Sequence, residues 1–142
     1  MASDIRNAYL QAPTSEKHFI VCDVDLHGIE PTGKRSMVVR DLYGGKLLGR
    51  YFWMHLCAWM DTLGFISCFS DPDVWMRKSN RGNRTVYYEY VLLYIDDCLV
   101  ISDNADNFIR EEIGKYFELN QESIKPPDLY LSGHMRQVTL DN

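Results

Sequence analysis

Two adjacent carboxylates, Asp96 and Asp97, interrupt the most apolar stretch of this 142-residue chain. Val91-Leu92-Leu93-Tyr94 lies on one side and Cys98-Leu99-Val100-Ile101 on the other. Both flanks are short and rich in β-branched and aromatic residues, which predicts two strands of a tight hairpin. A turn of that kind ordinarily carries Gly, Asn-Gly or Asp-Gly where φ must be positive. Here the turn holds a β-branched Ile95 and two like charges. Poor turn chemistry between two well-formed strands points to a functional site.

The rest of the chain bounds what that site can be. The length suits one domain with a real core. An apolar fraction of 46% and a charged fraction of 25% are those of an ordinary globular protein. The net charge is −5, and the acidic excess falls after residue 50. Such a chain is not a general nucleic-acid binder by electrostatics alone. Contact with phosphates requires bound cations or basic segments from elsewhere. Cys22, Cys57, Cys68 and Cys98 have irregular spacing, no C-x-x-C pair and apolar neighbours, so they read as core residues rather than zinc ligands. That usage fits a reducing, intracellular compartment. No apolar signal region opens the chain and no run reaches transmembrane length, so the expectation is a protein neither secreted nor membrane-spanning.

Along the chain, His18-Phe19-Ile20-Val21-Cys22 and Met37-Val38-Val39 read as strands of a long-looped hairpin. Tyr43-Gly44-Gly45-Lys46 breaks the pattern and opens a helix. Leu48, Phe52, Leu56, Trp59, Met60 and Leu63 recur at spacings of three and four, with Gly64 as C-cap. Asp73–Met76 and Val86–Tyr88 suggest strands around a polar turn containing Asn80, Gly82 and Asn83. The Asp-Asp hairpin follows. A second amphipathic helix is expected over 104–117, with Phe108, Ile109, Ile113 and Phe117 on one face. Pro126-Pro127 separates it from a last strand near Leu129-Tyr130-Leu131. Strand, hairpin, helix, hairpin, helix, strand implies an α+β fold: a mostly antiparallel sheet with helices on one face, in a split βαβ or ferredoxin-like arrangement.

In a split βαβ sheet the first strand and the central hairpin are neighbours, which would bring Asp4 to Asp96 and Asp97. Three converging carboxylates repel one another until a raised pKa or a divalent cation relieves them. Carboxylate oxygens completed by substrate phosphates suit Mg²⁺. Two such ions about 4 Å apart stabilise the attacking and leaving oxygens of an in-line phosphoryl displacement. The bland alternative is a solvated Asp pair at an exposed turn and a solvated Asp4 near a terminus. Placement on an apolar hairpin led by tyrosine favours the site. His18, His27, His55 and His134 are scattered and read as surface or packing residues.

Tyr94-Ile95-Asp96-Asp97 resembles the Y-x-D-D motif of reverse transcriptases. Asp4-Ile5-Arg6-Asn7-Ala8-Tyr9-Leu10 resembles the D-V-K-N-A-F-L segment of copia-type retrotransposon polymerases. Leu42-Tyr43-Gly44-Gly45-Lys46 followed by Tyr51-Phe52-Trp53 resembles their L-Y-G-L-K and A-W landmarks. Leu63-Gly64-Phe65, Asp71-Pro72-Asp73-Val74-Trp75 and Leu131-Ser132-Gly133 match further landmarks in the same order, across nearly the whole chain.

The resemblance implies a reverse transcriptase palm over residues 1–142, working by two-metal nucleotidyl transfer. Asp4, Asp96 and Asp97 would be the catalytic, metal-binding triad for two Mg²⁺ ions, with Mn²⁺ as a substitute. Ile5, Ala8, Tyr9, Gly44 and Ile95 would be substrate-binding: Tyr9 under the sugar, excluding a 2′-hydroxyl by clash; Gly44 allowing close backbone approach, or serving as an ordinary helix-entry turn; Ile95 at the primer terminus or nucleotide. Lys46 reads as a solvated helix residue. Template-primer and deoxynucleotide would be the partners of the parent polymerase, in a cytoplasmic particle or the nucleus. Only Met1-Ala2-Ser3 precede Asp4, Leu47-Leu48-Gly49 replaces the usual Q-S-P, and the chain stops at Asn142. The expectation is therefore a truncated palm without fingers, thumb or ribonuclease H domain, binding nucleic acid weakly and inactive alone. Two other classes stand beside it. One is a non-catalytic remnant acting at most as a protein-binding module. The other is a metal-dependent phosphodiester hydrolase, ranked last because no His or Lys adjoins the Asp pair.

Overall fold

Short runs rich in β-branched, aromatic and other apolar residues along 74–80, 86–94 and 97–101 build the centre of an antiparallel sheet. In the computed structural model, which describes residues 1–22, 33–40, 47–82 and 85–138, the chain forms two compact units. One comprises Met1–Ala8 and Cys57–Asn142, the other Tyr9–Leu56.

The first unit carries a five-stranded sheet made of β1 (Ala2–Asp4), β4 (Ile66–Ser67), β5 (Val74–Asn80), β6 (Val86–Tyr94) and β7 (Asp97–Ile101). Its order is β1-β7-β6-β5-β4, and every pairing is antiparallel. The other edge of β1 is bridged at Ala2–Lys125 and Ile5–Leu119. Cross-strand partners point to the same side of a sheet. Val91, Trp75 and Val100 therefore share one face, with Leu93 and Cys98 beside them, and all are buried. Tyr88, Tyr90, Tyr94, Ile101 and Asp97 share the other face with Asp4, and that face is largely exposed.

The expected second helix forms differently. An α-helical turn, α3 (Ala105–Asn107), passes directly into a π-helical segment over Phe108–Ile113. The Gly114 amide closes it on the Ile109 carbonyl at 2.7 Å. A π turn brings residues five apart onto one face, so Phe108 and Ile113 both reach the core, as do Ile109 and Phe117. The predicted apolar face is buried, and the helix closes at Ile113, short of the expected residue 117. Gly114 permits the closure: a Cβ there would lie 2.6 Å from the Arg110 carbonyl oxygen.

Arg77 fastens this segment to the sheet. It donates to Glu89 at 2.7 and 3.0 Å, to Glu112 at 2.8 and 3.2 Å, and to the Leu63 carbonyl at 2.8 Å. Its guanidinium also lies over the rings of Phe65 and Phe108. Burial works against a charged Glu89, but donors from Ser102, Arg77 and Tyr87 outweigh it and hold its carboxyl below the usual range.

Helix α2 spans Leu48–Thr62. It ends as its sequence predicts, with Gly64 at φ +78°. Gly64 and Phe65 amides bond back to Asp61 and Met60, a Schellman closure. After α1 (Ala8–Gln11), the second unit forms a two-stranded ribbon of β2 (Pro13–Val21) and β3 (Arg35–Arg40), with a register shift between Pro13 and His18. Pro13 opens β2 after α1 ends at Gln11. The last expected strand is short. Leu129–Tyr130 is β8, paired with β9 (Gly133–His134) rather than with the main sheet.

The four cysteines are unpaired, and Cys22 and Cys98 are buried, as their apolar neighbours predict. Among the described residues, no helix is long and apolar enough to cross a membrane.

Candidate functional site

The register of β1 on β7 decides where the acidic residues meet. Met1 and Val100 exchange backbone hydrogen bonds at 3.0 and 2.8 Å. Hydrogen-bonded and non-hydrogen-bonded pairs alternate from there, so Asp4 and Asp97, which are direct register partners, occupy a non-hydrogen-bonded position. Opposed side chains come closest there, with Cα atoms about 4.5 Å apart. The next pair is hydrogen-bonded again, the Ile5 amide donating to the Asp96 carbonyl at 2.8 Å. One strand end thus carries Asp4 and grips the turn that carries Asp96 and Asp97.

That turn is strained. Ile95 sits at φ +57°, with Asp96 completing a two-residue loop between the partners Tyr94 and Asp97. A β-branched side chain is disfavoured in this region by roughly 1–2 kcal/mol. The sequence conflict seen in the motif is therefore present in the backbone. Asp97 feels its surroundings as well. Partial burial, then the negative charges of Asp96 and Asp4, push its carboxyl above the ordinary carboxylate value.

Beside the carboxylates lies a cleft of about 650 Å³, whose lining includes Asp4, Asp97, Asn120, Ser123, Lys125 and Tyr130. Lys125 is opposite Ala2 across the outer edge of β1, so its side chain rises on the same face as Asp4. Ser123 accepts from the Asp4 amide at 2.7 Å through its hydroxyl, and the Asn120 amide donates to the Asp4 carbonyl at 2.9 Å. The backbone on both sides of Asp4 is thereby fixed.

The structure brings Asp4, Asp96 and Asp97 to one end of the sheet. Ile95 is half exposed at its tip. Ile5 and Ala8, expected to contact substrate, are only 1% and 4% exposed. Their side chains are core, and Ile5 serves the site through its amide instead. Tyr9 belongs to the second unit, where its ring meets Phe52 edge-on at 6.0 Å. Gly44 and Lys46 lie outside the described residues, as does His27. The cleft's far wall was missed. There Leu131 and Ser132, at φ +47° and +66°, form another two-residue hairpin loop between the partners Tyr130 and Gly133. The signal available was a non-glycine pair, Leu131-Ser132, between two short runs after Pro126-Pro127.

The donor chemistry suits a hard divalent cation, since all three groups are carboxylates. Among the described residues, however, no group of three or more His, Cys, Asp or Glu side chains stands close enough to hold a metal ion. Like charges have no reason to converge without a cation between them. The backbone brings three carboxylates to one end of the sheet, and their side chains do not form a ligand set there.

Comparison with known proteins gives one informative match. The chain is 25% identical, over 121 residues and 82% of its length, to the Retrovirus-related Pol polyprotein from transposon TNT 1-94 of Nicotiana tabacum. It spans 9% of that polyprotein's length. No family model matches the chain, and no solved structure matches it. The similarity supports a retrotransposon Pol relationship.

Proposed function

We propose that this chain is the palm segment of a copia-type reverse transcriptase, with Asp4, Asp96 and Asp97 as its metal-binding carboxylates. The observation that carries the reading is the pairing of Asp4 with Asp97 at a non-hydrogen-bonded position beside the Asp96 turn. Similarity to a retrotransposon Pol polyprotein supports it independently. Two Mg²⁺ ions, or Mn²⁺, would supply charge neutralisation and activation of a hydroxyl for in-line attack on a nucleoside triphosphate.

The residues of the chain divide the remaining work. Asp4 and Asp97 present oxygens from adjacent strands. The Ile5 amide holds the Asp96 carbonyl and so fixes the turn. Lys125 places a cation in the same cleft, where the phosphates of a nucleotide would lie. Ile95, exposed at the tip, is placed to touch the primer end or the nucleotide. Nucleic-acid affinity of this chain by itself is weak in this reading, because a net charge of −5 works against phosphate binding.

Primer extension on an RNA template with Mg²⁺ or Mn²⁺, supplied with the remainder of the polymerase, tests the assignment. Incorporation should be abolished by Asp96→Asn. Incorporation that survives Asp96→Asn and Asp97→Asn would end it. The acidic charge also favours a second reading, a folded remnant without catalytic activity. Failure of the chain to bind Mn²⁺ at millimolar concentration would select that one.

A further inference from the structure

The β8–β9 hairpin pairs with no strand of the five-stranded sheet, yet it forms a wall of the carboxylate cleft. A side chain ties it down. The Tyr130 hydroxyl donates to the Leu92 carbonyl at 3.3 Å. Leu92 faces Leu99 within the hairpin that bears Asp97, so the bond ties the β8–β9 hairpin to a strand of that hairpin. Tyr130 and Leu131 also line a smaller hollow of about 110 Å³ with Leu92, Leu93 and Tyr94. Tyr130 and Leu131 thus line both hollows. Burial first, and then the nearby Cys98, Asp97 and Asp73, push the Tyr130 hydroxyl up to about 12. It thus remains a neutral donor throughout the physiological range.

We propose that Tyr130 is a positioning residue, whose hydroxyl holds the Leu131-Ser132 loop beside Asp97 and so sets the width of the cleft in which the carboxylates take up metal. The proposal rests on the metal-binding reading above. It goes beyond that reading by assigning the site's geometry to a residue that touches neither metal nor substrate. The loop's own backbone gives it little support beyond the β8–β9 pairs and the Met135 amide bonded to the Asp128 carbonyl at 3.0 Å. It is two residues long, both residues have positive φ, and its strands are two residues each. Short isolated hairpins of this kind are marginal in water. A single side-chain bond to the sheet consequently matters more here than within a long strand.

Titration of the whole chain with Mn²⁺, followed by the loss of the free-ion electron paramagnetic resonance signal, tests the proposal alongside hydrogen exchange. Tyr130→Phe keeps the ring and removes the hydroxyl. It should weaken Mn²⁺ binding about 10-fold, in the range that outer-shell substitutions produce. The same variant should raise amide exchange at Leu131, Ser132 and Gly133 while leaving Val91 and Val100 protected. Tyr88→Phe, the same change on the same sheet face but remote from the cleft, should alter neither. Equal Mn²⁺ affinity in Tyr130→Phe and the unsubstituted chain overturns the inference alone and leaves the metal reading standing. No Mn²⁺ binding by the unsubstituted chain overturns both.

Discussion

Asp4 and Asp97 oppose one another on adjacent strands, with no backbone hydrogen bond between them to hold the strands together at that point. Like charges directly across a sheet are destabilising, and pairs of this kind contribute about 0.2–1 kcal/mol. Asp97→Asn should therefore stabilise the chain by about 0.5 kcal/mol at neutral pH, within that range, while weakening Mn²⁺ binding. Urea unfolding paired with metal titration measures both. A variant that loses stability and retains metal would contradict the account of the site.

The pH dependence of that same contribution has a definite sign. The folded Asp97 carboxyl is raised, by burial and by Asp96 and Asp4. Its contribution to stability is favourable while it is protonated and declines as pH rises through the raised value. Glu89 acts oppositely. Its carboxyl is lowered, because hydrogen bonds from Ser102, Arg77 and Tyr87 outweigh the burial that opposes them. Stability from Glu89 is present above the ordinary carboxylate value and is lost as pH falls through the lowered one. Glu89→Gln should flatten the acid limb of the stability profile, as followed by circular dichroism from pH 7 downward.

Breaking the Arg77 cluster should cost more than breaking any surface pair. The Glu89 side chain is only 8% exposed, and removing one partner leaves the other charge buried. Arg77→Met is expected to lose about 3 kcal/mol. By contrast, Arg6→Ala should cost less than about 1 kcal/mol, because both Arg6 and Glu118 are mostly exposed. Chemical denaturation of the two variants side by side separates them.

Gly114 should be intolerant of even one added carbon. Alanine would bring its Cβ against the Arg110 carbonyl and should cost about 1–3 kcal/mol through overpacking. Unwinding of the π segment would appear as increased amide exchange over 108–114. An alanine variant of wild-type stability would show that the closure can relax.

Ile95→Gly offers a test of strain at the turn. Glycine removes the penalty of the left-handed backbone at this half-exposed site but adds freedom to the unfolded chain. A net gain of about 0.5 kcal/mol is expected from these opposed terms. On the proposed polymerase reading, primer extension by a polymerase carrying this substitution should fall if Ile95 meets the substrate. A glycine variant with undiminished activity would remove Ile95 from the site.

Much of this protein was legible before its coordinates. The apolar spacing of Leu48 to Leu63 and the glycine after it specify α2 and its Schellman closure. The run from Val91 to Ile101 specifies the hairpin, because strand periodicity and turn chemistry are local. Phe108, Ile109, Ile113 and Phe117 announce a buried face. They could not announce a π turn, since the spacings of four from Ile109 to Ile113 and from Ile113 to Phe117 fit an ordinary α-helical face as well, and the closing hydrogen bond is not written in the sequence.

What chain order alone determined was therefore the inventory: which segments are strands or helices, and that a conflict of turn chemistry and charge sits at Ile95-Asp96-Asp97. Tertiary structure decided the rest. Whether Asp4 opposes Asp97 or points to the other face depends on a register in which a one-residue slip reverses every side chain. That Ile5 and Ala8 are core, and that Tyr130 reaches Leu92, likewise depends on contacts between residues far apart in the chain. Local preferences act over a few residues, whereas burial and register are properties of segments that meet only when the sheet closes.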